Sequence, residues 1–450
     1  MHDIAHDFLQ YLTKNEYLII EVKDGEERVE LPANNKLGHL TVVFAPEGPF
    51  TLSFDHCQRL RTITTFNCEI TSLSRELILQ LKCVRTLNLS YNNIEEVPDE
   101  VGVLLHLRYL DLSYNWRRLK RLPDSLCNLV NLQTLRVDEC KELGKLTSLQ
   151  HLHAMIPSKL IQLKLPKSIA RLKSLRTLDL ESVVIEGEGE GLRLSDLRDM
   201  DELQGKLTIA LKDSAASDAE KAKLVNKKHL LHLRLWFYRG ERDQSSIQEA
   251  VLNALQPNSN LESLQIEGYD GSTLYYPNWT SSLINLKSLS FYMCDVCKYV
   301  PLSVLAYLGS LETLRFEGMF GVKKVGFEYS LDHQVILFPN LKQLEFYLMS
   351  EWEEWDHHDE NDATSSSPTC FMPRLSTLSF KWCAKLKTLP DFLPRKTLLL
   401  QNLIITWCDI LSQSCKERQG PEWSKISHIP NIQIEHKTVQ NDGVWIEQED

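Results

Sequence analysis

The stretch Val84-Arg-Thr-Leu87-Asn-Leu89-Ser-Tyr-Asn92 decides the fold, because it returns as Leu107-Arg-Tyr-Leu110-Asp-Leu112-Ser-Tyr-Asn115, 23 residues on. In both copies the two inner aliphatic positions are separated by one residue, the spacing of side chains on one face of a strand. Leu87 and Leu89 therefore point the same way, as do Leu110 and Leu112. The closing Asn can satisfy backbone groups where the chain turns away. The same frame continues as Leu132/Leu135/Val137, Leu175/Leu178/Leu180, Leu230/Leu233/Leu235, Leu261/Leu264/Ile266 and Leu286/Leu289/Phe291. Leu311/Leu314/Phe316, Leu341/Leu344/Phe346, Leu375/Leu378/Phe380 and Leu400/Leu403/Ile405 follow. Weaker copies begin near Leu37, Leu60, Leu149 and Gln204, and Cys140 or Cys383 can fill the Asn place.

This makes about fifteen units with spacings mostly inside the range of leucine-rich repeats. The predicted fold is α/β: a leucine-rich-repeat solenoid with a curved parallel β-sheet on its concave side and irregular, 3-10 or helical segments on its convex side. Leu119, Leu122-Pro123, Leu126 and Leu129 supply a second apolar row on the way back, echoed by Leu165-Pro166, Ile169 and Leu172. No unit buries its core alone; its neighbours complete it. The 75 leucines among 450 residues are thus mostly an inward ladder. With 43% hydrophobic residues the composition excludes disorder, and it excludes collagen-like and disulfide-scaffold classes. No apolar run reaches the roughly 18 residues of a spanning helix. The chain opens MHDIAHDF without a secretory signal, and its eleven cysteines read as reduced thiols, so a cytoplasmic location is expected.

The net charge of −11 is localised. Residues 181–202 carry eight acids and two arginines, and residues 351–362 carry seven acids and no base, which together give −13. The remainder is near neutral, without the basic footprint that nucleic acid requires. The expected organisation is a short helical remnant over 1–30, a first repeat block over 31–180, and an irregular acidic insertion with a helix over 181–230. A second block with its cap covers 231–435, and 436–450 forms a disordered tail. Within the insertion, Asp213–Lys228 reads as helix.

Catalysis finds little support. His2-Asp3-Ile4-Ala5-His6 has the histidine spacing of a zinc protease but lacks the general-base Glu. His357-His358-Asp359-Glu360 sits in loop-like sequence, where a solvated acidic loop is the simpler reading. Cys294 and Cys297 read as buried thiols. No nucleophile elbow or kinase signature occurs, so a non-enzyme without metal is expected. Recognition is expected at the outward strand positions, which stack in columns. One column reads Asn88, Asp111, Arg136, Asp179, Arg234, Gln265, Ser290, Arg315, Glu345, Ser379; the next reads Ser90, Ser113, Asp138, Glu181, Trp236, Glu267, Tyr292, Glu317, Tyr347, Lys381. Aromatic and arginine side chains are favoured interface anchors. Arg234, Trp236, Tyr292, Arg315, Tyr347 and Lys381 are therefore the candidate partner-binding residues. The acidic loop, with Glu351, Glu353, Glu354 and Asp356, is a second candidate contact for a basic surface, beside Trp352 and Trp355 packed on the convex side.

Several stretches carry a specific resemblance. Met1-His2-Asp3, Leu224–Phe237 (LVNKKHLLHLRLWF), Glu351–Asp356 (EWEEWD) and Cys415–Ile432 (CKERQGPEWSKISHIPNI) resemble the coiled-coil class of plant NB-ARC leucine-rich-repeat (NLR) disease-resistance proteins. The likeness spans nearly the whole chain, as the part beginning at the Met-His-Asp motif that ends the family's winged-helix subdomain. It implies a recognition and autoregulatory repeat region, binding a pathogen effector or a guarded host protein and a nucleotide-binding module in cis. In the family the motif's His contacts a nucleotide phosphate, a role that would fall to His2. No GxxxxGK[ST] loop is present, so no cofactor is expected here; ADP or ATP would belong only to a longer parent switch. A stand-alone scaffold bridging other proteins is the alternative.

Overall fold

The structure, a computed structural model, describes residues 16–446 except 23–28, 31–35, 44–47, 51, 54–58, 116–118, 120–121, 138–145, 155–166, 181–183, 187–190, 239–244, 272–273, 275, 328–335, 356–369, 391–392, 394–398 and 417–419. The chain divides into two compact units, residues 1–208 and 209–450.

In the first unit Tyr17–Glu21, His39–Val43, Thr62–Phe66, Thr86–Asn88, Tyr109–Asp111, Thr134–Val137, His151–Ala154 and Thr177–Leu180 pair in chain order, every pair parallel. The register joins Leu40, Ile63, Leu87, Leu110, Leu135, Leu152 and Leu178 in one row. Each of these is at most 4% exposed. Full burial of one such side chain stabilises by roughly 1.5–3 kcal/mol, which explains why the row tolerates only aliphatics. Gln204–Lys212 then pairs at Leu207 with Leu178.

The convex returns have a sequence cause as well. Pro98 and Pro123 stand immediately before the 3-10 helices Asp99–Val103 and Asp124–Asn128. Proline needs no partner for the N–H it lacks, and its fixed φ suits entry to a helical turn. Val101, Leu126 and Ile169 are buried from three of these 3-10 turns, the third being Lys167–Arg171. One further unit uses an α-helix, Arg75–Gln80, capped by the Ser74 hydroxyl, which accepts from the Leu77 amide at 3.1 Å.

In the second unit His229–Phe237, Ser263–Glu267, Ser288–Tyr292, Thr313–Glu317, Gln343–Tyr347, Thr377–Lys381, Asn402–Thr406 and Asn431–Ile434 form the parallel series. Here the second inward row turns aromatic. Phe291, Phe316, Phe346 and Phe380 stack with centroids 5.4–5.7 Å apart and planes within 11° of parallel. The convex side carries a small parallel sheet of Tyr299–Pro301, Lys324–Gly326 and Glu354–Trp355. Side-chain amides stitch the turns between units: Asn285 Nδ2 donates to the Ser259 carbonyl at 3.1 Å and Asn340 Nδ2 to that of Gly309 at 2.6 Å.

Four expectations need correction. The sheet begins at Tyr17–Glu21, inside the stretch expected to be a helical remnant; residues 1–15 lie outside the described residues. Leu18 and Ile20 share the alternation of Leu40 and Val42, but without a complete motif the short apolar run carried no repeat signal. The acidic stretch 181–202 is not wholly an irregular insertion. Its second half holds the 3-10 helix Leu194–Asp199, burying Leu194 and Leu197 like any convex return, with Asp196 accepting from the Arg193 amide at 2.9 Å. Helix over 213–228 shrinks to Ala216–Lys221 and a 3-10 turn Leu224–Asn226, because left-handed backbone at Asp213 and Lys223 brackets it. The described part of the tail, 437–446, is an antiparallel continuation. Lys437–Asn441 pairs with Asn431–Ile434 and then with Val444–Trp445, closing the sheet edge at Val439 and Gln440, both buried.

Candidate functional site

The outward positions of the second unit come together as the register requires. Arg234, Gln265, Ser290, Arg315, Glu345 and Ser379 lie in one column, and Trp236, Glu267, Tyr292, Glu317, Tyr347 and Lys381 in the next. Strand pairing places residues about 30 apart in sequence within about 5 Å of one another across the sheet.

The charges in these columns are largely engaged with each other. Arg234 Nε donates to Glu267 Oε2 at 3.1 Å, and its Nη2 bonds the same oxygen. Glu267 is only 8% exposed, so this is a sheltered, charge-assisted contact. Arg315 bonds Glu317 at 2.6 Å and approaches Glu345 at 3.8 Å. Trp236 stacks on Tyr238 with centroids 4.8 Å apart. Tyr292 is half-buried between these ion pairs and Tyr347 half-buried beyond the second, and neither phenol makes a hydrogen bond among the described residues. Burial raises the Tyr292 phenol, helped by the carboxylates of Glu317 and Glu267. It therefore stays a neutral donor. Lys381 is exposed and makes no ion pair among the described residues.

In the first unit, outward residues around Asn88 and Asp111 satisfy one another. The Asp111 carboxylate accepts from the Tyr109 hydroxyl at 2.9 Å and from the Ser113 amide and hydroxyl at 3.0 and 2.6 Å, and it pairs with Arg136 at 3.2 Å. Asn88 Oδ1 accepts likewise from the Ser90 amide and hydroxyl.

The second candidate contact differs from its expected form. Residues 351–355 are part of the convex wall, not a free loop. Trp352 and Trp355 are buried against Phe346, and Trp352 Nε1 donates to the Glu354 carbonyl at 2.8 Å. Glu351 and Glu353 are each bonded by a lysine one unit along, Lys385 at 2.7 Å and Lys387 at 2.8 Å. The Lys387 bond holds the Glu353 carboxyl below its ordinary range. Asp356 and His357-His358-Asp359-Glu360 lie outside the described residues, as do Met1, His2, Asp3 and His6.

Cys294 and Cys297 are buried free thiols. Cys297 Sγ donates to the Gly271 carbonyl at 3.0 Å, and burial pushes the Cys294 thiol up to about 12. Among the described residues no cluster of three or more His, Cys, Asp or Glu could hold a metal, and no helix is long and apolar enough to cross a membrane.

One set of surface residues escaped the column reading. The residue just before each Asn or Cys of the motif adopts left-handed backbone: Tyr91, Tyr114, Met293, Trp382 and Trp407 all have φ between 54° and 61°. Tyr91 stacks on Tyr114 at 3.8 Å and Trp382 on Trp407 at 4.9 Å. The sequence signal was an aromatic directly preceding Asn92, Asn115, Cys383 and Cys408.

Repeated parallel strands, an inward aliphatic or phenyl ladder, a buried Asn or Cys at several of the turns and a polar outward face define a leucine-rich-repeat protein. The leucine-rich-repeat family model matches residues 58–115 and 82–141, and the R13L1/DRL21 leucine-rich-repeat model matches residues 194–319. Among curated proteins, a disease resistance protein of Arabidopsis thaliana is 31% identical over 75% of this chain and 25% of its own length. The disease resistance RPP13-like protein 1 of the same plant and the disease resistance protein RGA1 of Solanum bulbocastanum are each 31% identical, over 75% and 76% of this chain and 33% of their own lengths. The chain thus spans about a quarter to a third of the length of these relatives. Among solved structures, a leucine-rich-repeat protein of Leptospira interrogans matches at TM-score 0.39 with 18% identity, covering 64% of this chain and 87% of that one. An internalin of Listeria monocytogenes matches at 0.41 with 15% identity, covering 72% and 87%. The homologues of this chain are plant disease resistance proteins, and the matches fit a C-terminal leucine-rich-repeat region of such a receptor.

Proposed function

We propose that this chain is the protein-recognition and autoregulatory repeat region of an intracellular plant immune receptor, without catalytic activity of its own. It binds a pathogen effector or a guarded host protein through the outward face of residues 234–381. In a longer receptor the same repeats restrain a nucleotide-binding module in cis, and ADP or ATP binds there. The observation that supports this reading is the arrangement of Tyr292 between the Arg234–Glu267 and Arg315–Glu317 pairs, with Tyr347 on the far side of the second pair. Fixed charges pre-order the surface, so docking a partner there costs little side-chain entropy. The half-buried aromatics supply contact area, and the phenols offer donors that a partner can use.

The test combines Trp236→Ala, Tyr292→Ala and Tyr347→Ala in the full chain. The partner is first identified by pairwise screening of effectors and host proteins. Calorimetry is expected to show binding weakened by at least about tenfold with thermal unfolding intact. Unchanged binding with intact unfolding refutes the assignment of this face. Equilibrium dialysis against labelled ADP is expected to show no nucleotide bound by the chain alone.

A further inference from the structure

Beyond the outward columns, the strand exits of the last repeats carry an aromatic ridge. Trp382 and Trp407 follow the paired strands Thr377–Lys381 and Asn402–Thr406, and their rings stack at 4.9 Å and 19°. The His436 ring meets Trp407 edge-on at 5.9 Å. Trp382 is 44% exposed and Trp407 47%, large fractions for the biggest apolar side chain. The indoles of Trp279 and Trp352 donate to backbone carbonyls at 3.0 and 2.8 Å. Those of Trp382 and Trp407 donate to no described residue. Both residues hold left-handed backbone, which costs a bulky residue conformational energy and returns no core burial here.

The ring arrangement limits what can bind. A sugar or a nucleobase needs an open aromatic face. Here the inner faces close on each other and His436 stands against Trp407, so apart from the outer face of Trp382 the ridge offers ring edges and indole N–H groups. Edges suit aliphatic side chains, and the N–H groups suit carbonyl or carboxylate oxygens. Lys381 precedes Trp382 and Lys437 follows His436; both are exposed and neither is in an ion pair among the described residues. The Glu435 carboxylate beside the ridge is engaged by the Trp407 and Cys408 amides and the Ser412 hydroxyl, so the stacked rings are flanked in sequence by two cations without ion-pair partners among the described residues.

We propose that this ridge docks an acidic, leucine-bearing segment of a partner protein, with aliphatic side chains against Trp382 and Trp407 and carboxylates against Lys381 and Lys437. The ridge shares Lys381, beside Tyr347, with the end of the outward column, but its tryptophans lie outside that column and the proposal does not rest on the reading given for it.

The experiment uses the full chain and a short fluorescent peptide in which glutamates flank two leucines, with the lysine-for-glutamate peptide as its counterpart. Anisotropy is expected to show saturable binding of the acidic peptide, weakening with added salt, and no binding of the basic one. Trp382→Ala with Trp407→Ala is expected to weaken binding about thirtyfold. Lys381→Glu with Lys437→Glu, which removes no apolar contact, is expected to abolish it, and Tyr292→Ala with Tyr347→Ala to leave it unchanged. Equal binding of both peptides, no binding of the acidic one, or binding indifferent to both ridge variants overturns the proposal. Self-association of the chain that the tryptophan variants abolish, without peptide binding, assigns the ridge to a second copy and overturns it equally.

Discussion

Replacing Asn115 probes how each turn of the ladder is held. Its Nδ2 donates to the Leu89 carbonyl at 2.9 Å and the Leu112 carbonyl at 3.0 Å, and its Oδ1 accepts from the Ile94 amide at 3.0 Å. The residue is 2% exposed, so water does not replace these bonds. The Leu89 carbonyl retains a second donor, Asn92 Nδ2 at 3.0 Å, and suffers least. In Asn115→Ala the Ile94 amide is orphaned, at a cost of roughly 1–3 kcal/mol, and the Leu112 carbonyl adds about 1 kcal/mol. A total loss of about 2–4 kcal/mol is expected. In a stack of repeats the loss falls on the neighbouring units first. Hydrogen exchange read by mass spectrometry is therefore expected to accelerate around 84–115, by at least about thirtyfold at Ile94. The C-terminal repeats are expected to keep their protection. Asn115→Cys should lose less, since Cys383 fills the same place with Sγ donating to the Lys381 carbonyl at 3.6 Å. Asn115→Asp carries a pH signature. Facing two carbonyls, the introduced carboxyl is more basic folded than unfolded, so the variant is closest to the parent below about pH 4 and falls behind as pH rises. A loss under about 1 kcal/mol for Asn115→Ala, or unchanged exchange at Ile94, refutes the reasoning.

Other consequences concern titration and reactivity. Burial, then the Asp111 carboxylate, pushes the Tyr109 phenol up to about 12. Because the folded value is raised, the stability it contributes is complete below the ordinary tyrosine value near 10 and is lost as pH climbs through about 12. Tyr109→Phe should remove that component and one tyrosine that titrates near pH 12 from an alkaline absorbance titration; an unchanged titration refutes the assignment. Cys294, held near 12 by burial, should react with iodoacetamide at pH 8 about a thousandfold more slowly than exposed Cys83 until the chain is unfolded. Equal labelling of the two in the folded protein contradicts the buried placement.

Much of the fold is legible in residues such as Leu87, Leu89 and Asn92, because the motif encodes a local geometry. Two aliphatics at alternate positions need a shared interior, and the Asn has donors and an acceptor for the turn it closes, as Asn115 does at the Leu112 carbonyl. Tyr17–Glu21 was not legible, since its membership in the sheet rests on pairing with His39–Val43 and not on a complete motif. The hairpin after Asn431–Ile434 was hidden for a similar reason. Glu435 and His436, both left-handed, turn the chain back on itself, and neither residue type announces that geometry as glycine does. The outward columns could be written from register, but not which of their charges are engaged with one another.

By itself the sequence determined the repeat period, the inward ladder and the proline-led convex turns, because each depends on residues within a single unit. Only the tertiary structure decided the partners across units. Arg234 meets Glu267, and Lys385 and Lys387 meet Glu351 and Glu353, each one repeat away. It likewise made Trp382 and Trp407, 25 residues apart in sequence, into one exposed ridge. Stacking turns a separation of one repeat into a contact, and the long side chains then choose among several neighbours within reach. That choice depends on rotamers and distances between units, which a one-dimensional pattern does not contain.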